Sequence, residues 1–185
     1  MPDRAQILAQ LAEEERSWAA ANTEGGDADH WGLIQYPLDR FADLCDTAAG
    51  YLSRHGCHAA DIEFLEVGCG IGTKAAYAKL MHGISVYGID RVPAHAALAK
   101  QHGIIAQAEN AADFKSYGKF DIVYVNHPFR DPHMQLQLDW KIQREMRPGA
   151  LLIGVNQAYG SQPPMDWLTI FEPPGWPVHG VWQKP

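Results

Sequence analysis

Residues 64–74, F-L-E-V-G-C-G-I-G-T-K, constrain this chain more than any other stretch. An apolar run stops at Gly68, Gly70 and Gly72, and a helical pattern takes over at about 72–82. Glycines at such a corner let the backbone turn tightly and let a ligand approach the main chain without Cβ clashes. The stretch therefore predicts the first strand-loop-helix unit of a parallel sheet. Further apolar runs at 84–89, 103–106, 120–125 and 150–155 alternate with helical patterns at 93–102 and 132–146 and a short one near 110–116. That alternation is the signature of crossover helices. Gly83, Gly103 and the Pro148-Gly149 pair supply the stops.

The two ends depart from this rhythm. Ile7, Leu8, Leu11 and Trp18 predict a helix over 3–21, and the Gly- and Asp-rich segment 22–29 breaks it. A second helix starts after Pro37, with Leu38, Phe41, Leu44, Cys45, Ala48 and Leu52 on one side and Gly56 near its end. At the other end, W-L-T-I-F-E and V-H-G-V-W-Q-K flank the turn-rich P-P-G-W-P, which favours an antiparallel hairpin. The expected fold is α/β: a doubly wound, mainly parallel sheet of about seven strands, with a C-terminal antiparallel hairpin and helices on both faces. One domain is expected over 1–185, with 1–59 as an N-terminal helical cap or lid plus the first core helix and 60–185 as the sheet. The 185-residue length, 46% apolar content and 20% charged content suit one domain with a substantial core.

Composition also narrows the setting. No apolar run reaches the roughly 20 residues that span a bilayer, and 1–21 is acidic and polar where a signal peptide would be basic and then apolar. A cytoplasmic protein is the expectation. Cys45, Cys57 and Cys69 form no CxxC pair and point to free thiols in a reduced compartment. H-G-C-H at 55–58 lacks the further ligands a metal needs, so none is expected. A formal charge of −7 argues against a duplex nucleic-acid footprint, and Lys141, Arg144 and Arg147 read as a solvated helix face.

The glycine loop is selective about ligands. A P-loop is excluded, because Lys74 follows Thr73 where Walker A needs Gly and precedes Ala75 where it needs Ser or Thr. The dinucleotide fingerprint wants a third Gly at position 73, which is Thr73. The spacing fits a ligand without phosphates. Glu66 lies inside an otherwise apolar strand and needs a donor-rich partner. Asp90 ends the next strand, where a carboxylate accepts both hydroxyls of a ribose. Glu109 and Asn110 follow the third strand, within reach of an adenine amino group.

E-V-G-C-G-I-G, Y-G-I-D and A-E-N resemble the first three cofactor motifs of the class I S-adenosylmethionine-dependent methyltransferases. The resemblance covers roughly 60–185. It implies that the loop bearing Gly68, Cys69, Gly70 and Gly72 contacts the methionine portion of S-adenosylmethionine and that Glu66 orients this loop or the amino group. It further implies that Asp90 holds the ribose and that Glu109 or Asn110 reads the adenine. Arg91 and Lys74 are candidates for the adenine edge and the carboxylate, against ordinary solvated side chains.

V-N-H-P-F, residues 125–129, then falls at the end of the fourth strand, beside the expected sulfonium. It resembles the fourth motif of amino-directed methyltransferases, with His127 in place of the first Pro. In that motif the Asn oxygen and the following carbonyl accept hydrogen bonds from the target amine, and the aromatic residue stacks on the substrate. This makes Asn126 and His127 the candidate catalytic residues, with Asn126 also at the cofactor edge, and Phe129 a candidate substrate contact. His127 reads either as a general base or as a loop residue whose backbone alone matters. The alternative for the whole segment is a strand corner with Asp131 capping the next helix and Phe129 in the core. Trp31, Gln35 and Tyr36 are further pocket candidates, with ordinary core aromatics as the other reading; His30 and His133 read as loop residues. The expected activity is methyl transfer to nitrogen or oxygen of a small molecule or exposed side chain or base, small-molecule and protein acceptors being favoured over duplex nucleic acid. A non-catalytic S-adenosylmethionine-binding module and a nicotinamide-dependent oxidoreductase are the rivals. The acceptor's identity and the oligomeric state are not encoded legibly.

Overall fold

A computed structural model describes residues 3–21, 36–155, 166–174 and 179–185. Five strands run parallel: β1 (Glu63–Val67), β2 (Ser85–Asp90), β3 (Ile105–Ala108), β4 (Ile122–Asn126) and β5 (Leu151–Val155). Two more, β6 (Leu168–Phe171) and β7 (Gly180–Gln183), complete a seven-stranded sheet of order β3-β2-β1-β4-β5-β7-β6. β7 is antiparallel to both neighbours, as the turn-rich segment before it predicts. The order reverses between β1 and β4, and in an open α/β sheet ligands lie at the carboxyl ends of strands flanking such a reversal.

Side chains alternate across the sheet, so each face has its own core. One core joins Phe64, Tyr124, Ile153 and Val181 to α2 (Leu38–Arg54) and α3 (Thr73–His82), with Leu11 of α1 (Arg4–Ala21) buried beside them. The other joins Leu65, Val123, Val125 and Leu152 to Leu138 and Ile142 of α5 (Pro132–Glu145). α4 (Pro93–Gln101) returns the chain from β2 to β3. Predicted boundaries hold to within two residues, except near 110–116. There the side chain of Asn110 accepts from the Ala112 amide at 3.0 Å, which makes a turn, and a single 3₁₀ turn at Tyr117–Lys119 replaces the expected helix. Asparagine competes with helix by bonding its own backbone neighbours.

Both flanking helices are fixed by charge. Arg4 of α1 bonds Asp43 at 2.7 Å, Asp46 at 3.0 Å and the Tyr77 hydroxyl at 3.1 Å, tying α1 to α2 and α3. Lys184, just past β7, donates to the carbonyls of Gln143, Arg144 and Met146 at the end of α5, where a cation suits the helix dipole. Among the described residues, no helix is long and apolar enough to cross a membrane and no cluster of metal-ligating side chains occurs. The break at 22–29, His30, Trp31, Gln35 and the segment 156–165 lie outside the described residues.

Candidate cofactor and acceptor site

Three left-handed glycines build the loop: φ is +72° at Gly68, +52° at Gly70 and +86° at Gly72. Residues with a Cβ pay for that conformation, whereas glycine does not. The loop folds back over β2, where the amides of Gly68 and Cys69 both donate to the Ile89 carbonyl, at 2.8 and 2.9 Å. A Cβ at Gly88 would lie 2.8 Å from the Cys69 sulfur, so the glycine of Y-G-I-D makes room for this crossing. Cys69 packs downward into the core, and burial pushes its thiol well up.

Gly72 serves packing. A Cβ there would lie 2.5 Å from Ile104 Cδ1 and 2.9 Å from Ala99 Cβ, so α3 docks on α4 and the start of β3 only because position 72 is bare. Gly72→Ala is expected to lower unfolding stability by about 3 kcal/mol, combining left-handed strain with overpacking. Chemical denaturation would measure it, and a midpoint equal to the parent's would refute the packing role.

Two carboxylates hold the loop. Asp90 accepts from the Gly70 amide and the Val92 amide, each at 2.8 Å, with His95 Nδ1 at 3.3 Å. Glu66, 3% exposed, accepts from the Ala75 amide at 3.0 Å and so satisfies the first turn of α3, whose N-cap Gly72 has no side chain to do it. Burial pushes the Glu66 carboxyl up to about 8; Lys74 and the Ala75 bond pull it down, and Glu15 and Asp90 add to the rise. Both carboxylates emerge on one sheet face, since Glu66 pairs with Gly88 and Asp90 lies two residues beyond it.

α1 closes over this cluster. Its Glu15, 5% exposed, forms an ion pair with Lys74 and accepts from Thr73 Oγ1 at 3.2 Å, and Trp18 stands edge-on to His95 at 4.9 Å. Lys74 is therefore a buried partner of α1 and not a solvated side chain. Glu109 donates its amide to the Asp90 carbonyl at 2.9 Å, which carries it and Asn110 alongside Asp90, both half-buried. Arg91 is exposed.

The second loop leaves β4 at Asn126, which pairs with Val155. A Cβ on Gly68, itself exposed, would lie 3.5 Å from Pro128 Cβ, so the two loops face each other across a narrow gap. His127 has φ +39°, unique among the described non-glycine residues, and no proline can adopt it. Such strain persists only where surroundings enforce it. Here Gln135, 1% exposed, accepts from the Phe129 amide at 3.1 Å and donates to Asp139 at 2.8 Å, while Asp131 caps α5 by accepting from His133 and Met134. Phe129 is 1% exposed and packs in the α5 core, on the other side of the sheet from Asn126. Tyr36 is buried in the core on the Tyr124 side of the sheet and stacks on His179 at 5.6 Å.

Sequence reasoning missed Glu15, Gly88, Tyr124, Gln135 and His179. Only Gly88 left a local signal, a glycine inside an apolar strand.

This arrangement has counterparts. A methyltransferase-domain family model matches residues 65–154. Residues 65–154 thus match a methyltransferase domain, and the sheet that contains them has the fold of S-adenosylmethionine-dependent methyltransferases. Among solved structures, an RNA methyltransferase from Salinibacter ruber in complex with S-adenosylhomocysteine superposes with a TM-score of 0.53 at 16% identity, covering 82% of this chain and 92% of that one. The plantazolicin methyltransferase BpumL gives 0.51 at 16% identity, covering 80% and 56%. The phosphoethanolamine N-methyltransferase 2 of Haemonchus contortus is 23% identical with a TM-score of 0.44, and this chain spans 27% of its length. No curated protein sequence matches the chain.

The residues of this methyltransferase domain fit S-adenosylmethionine. A side chain at Gly68 would fill the gap toward Pro128, and Asp90, with two backbone donors and His95 as partners, retains acceptor capacity, a carboxylate offering about four acceptor positions. The glycine loop would hold the methionine portion, Asp90 the ribose, and Glu109 with Asn110 the adenine.

Proposed function

We propose that the protein methylates a nitrogen or oxygen of a small molecule or an exposed side chain, held against Asn126 at the end of β4. The observation that carries this reading is the proximity of the strained Asn126-His127-Pro128 corner to the exposed Gly68 of the cofactor loop. S-adenosylmethionine supplies an activated methyl group when bound, so the protein needs to align a nucleophile and little else. Asn126 orients the acceptor through its side-chain oxygen, and the backbone carbonyl of His127 offers a second acceptor for the same group. The His127 imidazole is the candidate proton acceptor. The formal charge of −7 supports an acceptor other than duplex nucleic acid.

Labelled methyl transfer to a panel of metabolites, peptides and nucleic acids tests the reading. Asn126→Ala is expected to lower turnover by about 30-fold through lost alignment, with S-adenosylhomocysteine affinity within about threefold of the parent's. Unchanged turnover would remove Asn126 from the mechanism, and no labelled product from any acceptor would overturn the activity.

A further inference from the structure

Asp90 is held from three directions. The Gly70 amide donates to its Oδ2 and the Val92 amide to its Oδ1, each at 2.8 Å. The third partner is a side chain: His95, in the first turn of α4, places Nδ1 3.3 Å from Oδ1. His95 is 6% exposed and Asp90 9%, so the contact is shielded from the solvent that would weaken it at the surface. A carboxylate beside one ring nitrogen favours the tautomer that carries its proton there, which makes Nδ1 the donor. Burying an imidazole costs free energy that an apolar side chain in the same place would avoid. The ring is itself held, because Trp18 of α1 stands against it at 4.9 Å with the planes 80° apart, an edge-to-face geometry that aromatic pairs favour. One turn earlier on α1, Glu14 pairs at 3.0 Å with His102, just past the end of α4. α1 thus contacts α4 at both ends, and Trp18 meets the end that carries His95.

We infer that His95 is a positioning residue for S-adenosylmethionine: it fixes the Asp90 carboxylate so that Oδ2 is presented to the ribose hydroxyls, and Trp18 of α1 fixes His95 in turn. This rests on the reading of Asp90 as the ribose acceptor. The two backbone donors come from the glycine loop and from the residue two places after Asp90, whereas His95 sits on a helix packed against the sheet and gives the carboxylate a rigid reference. A group already held in its binding orientation loses less freedom when the ligand arrives, and affinity rises accordingly. Both side chains act through Asp90. The N-terminal helix thereby contributes to cofactor affinity from outside the strand ends that carry the acidic residues.

The test titrates the full chain calorimetrically with S-adenosylhomocysteine and with its 2′,3′-dideoxy analogue, which lacks both ribose hydroxyls. The parent is expected to prefer S-adenosylhomocysteine. His95→Ala is expected to weaken S-adenosylhomocysteine about tenfold, the worth of one hydrogen bond to a charged group, and to leave the analogue within about twofold of its parent affinity. His95→Asn, whose side-chain amide sets a donor near the place of Nδ1, should recover most of the loss. Trp18→Ala is expected to weaken S-adenosylhomocysteine about threefold, the worth of an edge-to-face ring contact. In the His95→Ala background it should add nothing, because residues acting through one another are not additive. A histidine with a merely structural role would weaken both ligands equally and would not be rescued by asparagine. That result, or a loss below about twofold in His95→Ala, overturns the proposal. Full additivity of the two alanine variants overturns the part assigned to Trp18. Should His95→Ala fail to fold, His95→Leu, which fills the site and removes the donor, decides by the same comparison. Equal affinity of the parent for the two ligands, or none for either, would instead refute the reading of Asp90 as the ribose acceptor.

Discussion

Replacing Asp90 by alanine is expected to weaken S-adenosylhomocysteine binding on the order of a thousandfold, because bonds from charged groups contribute about 1.5–3 kcal/mol each and several depend on this carboxylate. The Gly70 and Val92 amides lose their acceptor at 2.8 Å, and the glycine loop loses one of its ties to β2. The ribose hydroxyls would lose theirs as well. Asp90→Asn keeps one acceptor oxygen and should fall between the two. Calorimetric titration of all three proteins checks this, and a change below about threefold in the alanine variant would show that Asp90 does not hold the nucleoside.

Glu66→Gln is expected to remove most of the pH dependence of stability between about pH 4.5 and 8. The sign follows from the direction of the shift. The Glu66 carboxyl rises from 4.5 to about 8 on folding, chiefly through burial. Below pH 4.5 folded and unfolded chains both keep its proton, and its contribution is fully present. As pH rises through the window the unfolded chain ionises and the folded one does not, so stability declines until about pH 8, by on the order of 4 kcal/mol. Lys74 from α3, Glu15 from α1, Asp90 from β2 and Tyr124 from β4 all face the group. Glutamine retains an oxygen for the Ala75 amide, so the variant should match the parent near pH 4.5 and exceed it at pH 8.5. Urea midpoints across that range would decide, and parallel curves for the two proteins would reject Glu66 as the titrating group.

Both predictions concern residues that the sequence alone singles out. A carboxylate inside an apolar strand and another at the end of the next are conspicuous in one dimension. What could not be read was their immediate partners: Glu66 finds the start of its own following helix, nine residues on, and Asp90 finds a loop amide twenty residues back. His127 shows the opposite case. Its divergence from a proline-rich motif was visible, but the left-handed backbone that excludes proline there depends on Gln135 and the seating of α5.

The sequence by itself determined the order of strands and helices, the reversed last strand, the glycine corner and the acidic residues around it, because strand and helix periods, glycine's missing Cβ and turn chemistry all act over a few residues. Tertiary structure alone decided which chemistry shares a face. It sent Phe129 into the α5 core while keeping Asn126 with Glu66, brought Glu15 across 58 residues to Thr73, and set His179 against Tyr36. Those choices are made by helices packing on opposite sides of one sheet, a long-range competition for burial that leaves almost no mark on local sequence.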